Sequence, residues 1–186
     1  MIEYIIEKNI VDYALEKFNN NNISKNNNPS KFGFENKRIL EGYIGERIIM
    51  KFLNIKKDVD DFDFDLLSNK QKKLEVKTIS CKFKPLENYL CTVNSHQIDG
   101  IHKQKADYYI FLRILNDYSK AWILGWYSCY DFFKNGEFVS KGKDFGKFKF
   151  IKANATILPI NKLNIWLMNG INTEEQNANV KTGGKN

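Results

Sequence analysis

The chain of 186 residues has few of the residue types that build soft-metal or disulfide sites, with only two histidines and three cysteines. Cys81, Cys91 and Cys129 are odd in number and show neither a C-x-x-C spacing nor a histidine-paired pattern, so we expect reduced thiols. His96 and His102 fall on different faces of any helix. Because no H-N-H or H-E-x-x-H pattern is present either, the main histidine-metal hydrolases are disfavoured.

Long apolar runs are also absent from the sequence. None approaches the roughly 20 residues that cross a bilayer, and the chain starts with MIEYIIEK instead of a basic signal region. The apolar content of 42% is sufficient for one sizeable core. These features predict a soluble, cytoplasmic protein with one main domain.

Basic residues exceed acidic ones, with 29 Lys and Arg against 22 Asp and Glu and a net charge of +7. The sequence pI is near 9.1. A positive balance of this size suits a polyanionic partner such as nucleic acid. Many basic proteins bind no nucleic acid, so the charge does not identify the partner by itself.

Composition divides the chain into four segments. Apolar spacing predicts an amphipathic helix over residues 1–18, and an Asn-rich stretch with Pro29 predicts a loop or linker over residues 19–34. The main domain is expected over residues 35–168. The polar end, residues 169–186, is predicted to be disordered.

Within the main domain, periodicity predicts a helix over Glu35 to Asn54 and a hairpin of two alternating stretches, Asp61 to Leu67 and Leu74 to Ser80. The elements expected next are a third strand at residues 88–93, a short helix from Ser95, strands at Asp107 to Ile114 and Ala121 to Tyr127, one or two helical turns in SCYDFFKN and one more strand in FGKFKFIKANATILPI. This order indicates a mixed α/β fold in which helices cover a sheet.

Charged side chains are expected to converge on one face of the hairpin. Side chains alternate along a strand, so Glu75 and Lys77 share a face, as do Asp61, Asp63 and Asp65. Carboxylate oxygens on strands suit Mg²⁺, which takes one or two of them and keeps waters and phosphate oxygens. Lys77 is placed to position or deprotonate an attacking water, or to neutralise charge.

Glu46 falls within the apolar arc of the predicted helix, counting 100° per residue. Burying an isolated carboxylate is costly, which calls for a partner such as a metal ion or its bound water. Gly42 and Gly45 are expected to let the helix approach the sheet closely. Glu46 is therefore predicted to reach the carboxylate cluster.

Glu46, Asp65 and the triplet Glu75-Val76-Lys77 resemble the signature of the PD-(D/E)XK, or restriction-endonuclease-like, nucleases. The family core runs helix, three strands, helix, strand, and the resemblance covers about residues 35–127. No Pro precedes the Asp here, and three aspartates compete for its role. Asp65 is preferred because it leads directly into an apolar pair, as the metal-binding Asp of the family commonly does, and Asp63 is the alternative.

The resemblance implies a restriction-endonuclease-like core with a mixed central sheet flanked by helices. It also implies a Mg²⁺-dependent DNA endonuclease of restriction, homing or phage type, with Mn²⁺ as a substitute. Asp65, Glu75 and Val76, through its carbonyl, would hold the metal. Glu46 would support a water on the metal and Lys77 would act on the attacking water. The expected partners are double-stranded DNA and a second copy of the chain, since double-strand cleavage needs two sites.

Several residues are candidates for DNA contact. The family's second helix often contributes a polar residue, which implies His96 or Gln97 here, whereas the other candidates flank the site in sequence: Lys82, Lys84, Asn94, Lys103 and Lys105. Lysines and phenylalanines also alternate over residues 141–152. That pattern suits phosphate contacts with base stacking and equally suits a wet edge strand.

Other interpretations remain open. A lone E-x-K in a strand is usually a solvated face. The D-x-D-x-D run is not a calcium loop of the EF-hand kind, because Leu66 and Lys72 stand where that loop needs Gly and Glu. Alternative functions are a structure-selective nuclease such as a Holliday junction resolvase, an RNA-directed nuclease, and a non-catalytic DNA-binding protein on the same fold.

Overall fold

The computed structural model describes residues 1–23, 34–56, 63–94, 105–143 and 153–165. In chain order the elements are β1 (Ile2–Ile5), α1 (Lys8–Ile23), α2 (Phe34–Phe52), β2 (Leu66–Leu67), β3 (Lys73–Cys81), β4 (Leu90–Asn94), β5 (Tyr108–Leu115), β6 (Lys120–Ser128), α3 (Cys129–Asn135), β7 (Glu137–Val139), β8 (Ala155–Pro159) and a 3-10 turn (Ile160–Lys162). The predicted mixed α/β class is confirmed.

The central sheet has the strand order β1-β6-β5-β3-β2. β3 and β5 are parallel, whereas the other neighbours are antiparallel. The long strands β5 and β6 consist mostly of aromatic and branched residues, which favour extended chain. The predicted hairpin is confirmed between β2 and β3, but β2 has only two residues although the alternating pattern begins at Asp61.

Helices α1 and α2 cover one face of this sheet. The α2 span agrees with the predicted helix, and its apolar residues include Ile44 and Ile48, which are completely buried. They pack with Val76, Ile110 and the rest of the larger core cluster. Full burial of one such side chain contributes about 1.5–3 kcal/mol to the free energy of unfolding, so this face anchors the position of α2.

A second sheet, of order β4-β8-β7, and the short helix α3 belong to the core on the opposite face. Phe132 of α3 is completely buried beside Tyr109 and Phe111 of β5. The predicted third strand is confirmed as β4, but it pairs with β8 and not with the central sheet. The expectation that helices cover the sheet therefore holds for one face, while the other face is covered mainly by strands.

The N-terminal prediction is wrong for the first residues. Ile2–Ile5 form an edge strand paired with β6, and the helix begins at Lys8 and continues to Ile23, within the stretch predicted as a loop. Apolar residues at positions 2, 5 and 6 fit a helical period, but strand pairing decides the local structure. Ile10 and Phe18 of α1 belong to the same core as α2.

The three cysteines are free thiols, as predicted. In the part of the chain that the structure describes, no helix has the length and apolar character needed to cross a membrane. The predicted helix from Ser95, the rest of the Asn-rich loop and the C-terminal tail at 169–186 lie outside the described residues.

Candidate active site

Four residues singled out in the sequence come together at the β2 side of β3. Glu75 and Lys77 belong to β3, Glu46 belongs to α2, and Asp65 immediately precedes β2. The charges of Glu75 and Glu46 both act on Asp65, and so does the charge of Lys77. The structure thus joins side chains from a helix, a turn and a strand in one charged cluster.

Asp65 is positioned by hydrogen bonds to the backbone of β3. Its amide donates to the Leu74 carbonyl at 3.0 Å, and its Oδ2 accepts the Val76 N–H at 2.7 Å. β2 pairs with β3 only at Lys73 and Leu74. Because β2 is so short, the Val76 N–H of β3 donates to the Asp65 carboxylate and not to a backbone carbonyl of β2. The charge of Glu75 acts on the same carboxylate.

The electrostatic environment of Asp65 is unfavourable to its charged form. Burial, followed by the like charges of Glu75 and Glu46, raises the pKa of Asp65 to about 8, while the Val76 N–H and Lys77 act in the opposite direction. Like charges close to one another disfavour the ionised form of a carboxyl group, and lysines accompany the two glutamates, with Lys77 beside Glu75 and Lys17 beside Glu46. Asp65 is therefore the carboxyl group of the cluster whose ionised form is disfavoured.

Lys77 is held on one face of β3 by two contacts. Its Nζ lies 2.7 Å from Oε1 of Glu75, whose side chain is 7% exposed. The same ammonium lies 5.7 Å from the ring centroid of Tyr109, the residue opposite Glu75 in the parallel register. An ammonium close to an aromatic face is stabilised by the ring quadrupole, so Lys77 is placed by both a carboxylate and a ring.

Glu46 is partly buried, and one of its partners is a residue that the sequence did not reveal. Lys17 of α1 lies with Nζ 3.2 Å from Oε2 of Glu46, and the two side chains are 17% and 13% exposed. The same Nζ is 5.0 Å from the ring centroid of Tyr43. No local pattern could indicate this contact, because its partners belong to different helices.

A close approach of α2 to β3 brings Glu46 to the site. A Cβ added at Gly45 would overlap the Thr78 hydroxyl, whereas one added at Gly42 would meet nothing within 4 Å. The expectation that both glycines permit close packing is therefore correct for Gly45 and wrong for Gly42. Gly45 immediately precedes Glu46, so this contact sets the depth of the carboxylate.

Asp63, the alternative to Asp65, lies in a different environment. Lys105 Nζ lies 2.7 Å from its Oδ2, and the Lys105 amide donates to the Asp63 carbonyl at 3.2 Å. Asp63 is not among the groups that shift the pKa of Asp65. The geometry favours Asp65 as the carboxylate of the cluster, and Asp61 lies outside the described residues.

The candidate DNA-contact residues are spread around the molecule. Lys82 and Lys84 are exposed after the end of β3, and the six strand steps from Glu75 to Cys81 correspond to about 20 Å. Asn94 is exposed at the end of β4, and the exposed Lys105 pairs with Asp63. His96, Gln97, Lys103 and residues 144–152 of the Lys and Phe stretch lie outside the described residues.

The carboxylates fit the ligand preference of Mg²⁺. No group of three or more His, Cys, Asp or Glu side chains within the described ranges forms a ready-made metal cage. Mg²⁺ commonly takes only one or two carboxylates and keeps water and substrate oxygens as its other ligands. Asp65 and Glu75 supply such a pair.

Comparison of the chain with protein-family models and with curated proteins found no match.

Proposed function

We propose that the chain is a Mg²⁺-dependent endodeoxyribonuclease that hydrolyses DNA phosphodiester bonds with a PD-(D/E)XK-type site. The observation that carries the proposal is the convergence of Asp65, Glu75 and Glu46 beside Lys77. These groups lie far enough apart in sequence that a purely local charge pattern does not account for their meeting. Mn²⁺ is expected to replace Mg²⁺.

Each residue has a role that follows from its position. Asp65, Glu75 and the Val76 carbonyl would hold the Mg²⁺, which when bound orients the phosphate and stabilises developing negative charge. Glu46 accepts a hydrogen bond from a water at the site. Lys77, already close to Glu75, neutralises negative charge and positions the attacking water.

Hydrolysis requires a balanced movement of atoms and protons. The water oxygen forms a bond to phosphorus, and the bond from phosphorus to the leaving sugar oxygen breaks. The water loses one proton to a basic group at the site, and the leaving oxygen gains one from solvent or from an acid. Glu46 is placed to accept the proton of the water, and the Lys77 ammonium, which is a donor only, orients the water and balances negative charge.

The net charge of +7 supports a nucleic acid substrate. We propose cleavage of double-stranded DNA by a homodimer, in which two sites cut the two strands. A resolvase-type enzyme would cleave DNA junctions by the same chemistry. The two activities differ in their substrate, which is a branched DNA for the resolvase and a defined sequence for the sequence-specific enzyme.

The test compares wild type with Lys77→Ala and Glu75→Gln, using Lys72→Ala, an exposed lysine of the β2–β3 turn, as the matched control. Cleavage of plasmid, branched and single-stranded DNA is measured with Mg²⁺, with Mn²⁺ and with chelator. We expect the two site variants to lose about 10²-fold or more in rate and the control to retain activity. Thermal melting in parallel shows whether each variant is folded.

Two outcomes would refute the proposal. Equal cleavage by wild type and by folded Lys77→Ala would remove the proposed role of Lys77. Salt-dependent DNA binding without cleavage, and without any effect of Mg²⁺ or Mn²⁺, would assign the chain to non-catalytic DNA binding.

A further inference from the structure

Residues 82–89, between β3 and β4, expose apolar side chains beside lysines; we name this segment the β3–β4 loop. Phe83 is 78% exposed, Leu86 58% and Tyr89 40%. Lys82 and Lys84, on either side of Phe83, are also exposed. Single exposed apolar residues are common, and three of them beside two lysines in one short segment make this loop a candidate binding surface.

Backbone hydrogen bonds hold this loop in place. The Tyr89 amide donates to the Leu86 carbonyl at 3.0 Å, and the Asn161 amide donates to the Glu87 carbonyl at 2.9 Å. The Ile160 amide donates to the Tyr89 carbonyl at 2.9 Å. These bonds anchor the part of the loop from Leu86 to Tyr89, which follows Phe83, to the 3-10 turn after β8.

We propose that the β3–β4 loop binds unpaired nucleotides of the DNA substrate, with a base stacked on Phe83 and phosphates paired with Lys82 and Lys84. The proposal deepens the proposed function, on which it rests, by adding an unpaired segment to the substrate. A flap, a bubble or a branch point would supply such a segment next to a duplex.

Charge and chemistry favour this occupant. Single-stranded nucleic acid is bound by basic surfaces that carry aromatic side chains, since every base has a face that can stack. Arg113 adds positive charge, with its guanidinium 5.9 Å from the ring centroid of Tyr89. Among the described acidic residues, Glu87 belongs to the loop, and the charge of Lys84 acts on Glu3, which is also hydrogen-bonded to Lys120 and Trp122.

The loop lies in line with the candidate active site. Glu75, Lys77, Ile79 and Cys81 share one face of β3, and Ile79 is 38% exposed between the site and the loop. The distance along β3 from Glu75 to Cys81 is about 20 Å. Proteins that bind single-stranded DNA contact about 4–16 nucleotides, which is long enough to cover this distance. One strand can therefore contact both places.

The test is equilibrium binding of fluorescent oligothymidine and of a blunt duplex, measured by anisotropy with chelator present so that no cleavage occurs. We expect Phe83→Ala to weaken single-strand binding about 5- to 150-fold, because one stacked base contributes that much, and to leave duplex binding unchanged. Phe83→Trp should retain binding. Tyr130→Ala is the matched control, since Tyr130 is 76% exposed and also has a lysine, Lys134, beside its ring.

The lysines are tested by salt dependence. Lys82→Ala and Lys84→Ala should each reduce the slope of log K against log salt by about 0.7 for the single strand, which is the loss of one phosphate contact. Unchanged slopes in both variants would contradict the phosphate contacts.

Other results would overturn the inference. Unchanged oligothymidine binding by Phe83→Ala would refute the stacking contact, whatever the cleavage assays show. Conversion of a dimer to a monomer by Phe83→Ala in sedimentation, with binding intact, would assign the loop to contact between copies. Phe83-dependent binding by a protein that cleaves no DNA would support this inference and refute the proposed function.

Discussion

At the scale of single residues, Asp65 links folding to the candidate chemistry. Its folded pKa of about 8 lies far above the value of about 3.9 in an unfolded chain. Between these values the folded state binds more protons than the unfolded state, so the free energy of unfolding falls as pH rises. The contribution of protonated Asp65 to the free energy of unfolding is fully present below about pH 4 and is lost as pH rises through about 8.

We expect Asp65→Asn, which keeps an acceptor for the Val76 N–H, to remove this dependence. In chelator at pH 8 the variant should be more stable than wild type by more than about 1 kcal/mol. With Mg²⁺ the order should reverse, because only wild type gains stability from binding. Urea unfolding across pH checks both points, and parallel curves for the two proteins would contradict the expected role of Asp65.

The cysteines give a second residue-scale prediction. Burial raises the pKa of Cys91 to about 12 and that of Cys129 to about 12. The thiolate is the reactive species, so at pH 8 both thiols should react with iodoacetamide far more slowly in the native protein than in urea. Mass spectrometry of peptides measures the labelling of each cysteine. Rapid labelling of Cys91 in the native protein would contradict the burial of its thiol.

At the scale of elements, the contact between α2 and β3 sets the position of Glu46. A methyl group at Gly45 would meet Thr78, so Gly45→Ala should lower the free energy of unfolding by about 1–3 kcal/mol. Gly42→Ala is the matched control on the same helix, with open space around its Cβ, and should raise stability by up to about 1 kcal/mol. Urea unfolding measures both; equal effects of the two substitutions would argue against close packing at Gly45.

The longest elements of the fold are the ones that the sequence predicts. α2, β3, β5 and β6 are long and strongly patterned, so their existence was predictable. The alternation along β3 also predicted the shared face of Glu75 and Lys77. β1 was not predictable, because four residues fit either period until β6 provides a partner.

The features that the sequence does not predict depend on contacts between residues that are distant in the sequence. Nothing local indicates that β4 pairs with β8, because the two strands are far apart in the sequence. The Lys17 contact with Glu46 also depends on how α1 packs against α2. Sequence patterns therefore predicted the candidate site's own residues better than their neighbours.

At the scale of the whole molecule, α1 is part of the core and not an appendage. Ile10 is completely buried, whereas Ile5 of β1 is 61% exposed. We expect Ile10→Ala to lower the free energy of unfolding by about 2–5 kcal/mol and Ile5→Ala to change it by less than about 0.5 kcal/mol. Urea unfolding of both variants checks this, and a mild effect of Ile10→Ala would indicate that α1 packs loosely.

The edge position of β1 has a consequence for biosynthesis. Ile2 pairs with Ile123 and Ile5 pairs with Lys120, so β1 finds its partner only after about 115 further residues (120 − 5) have been synthesised. At about 5–20 residues per second this delay is on the order of 6 to 25 seconds. Until then β1 has no strand to pair with, and a chaperone can hold it while translation continues.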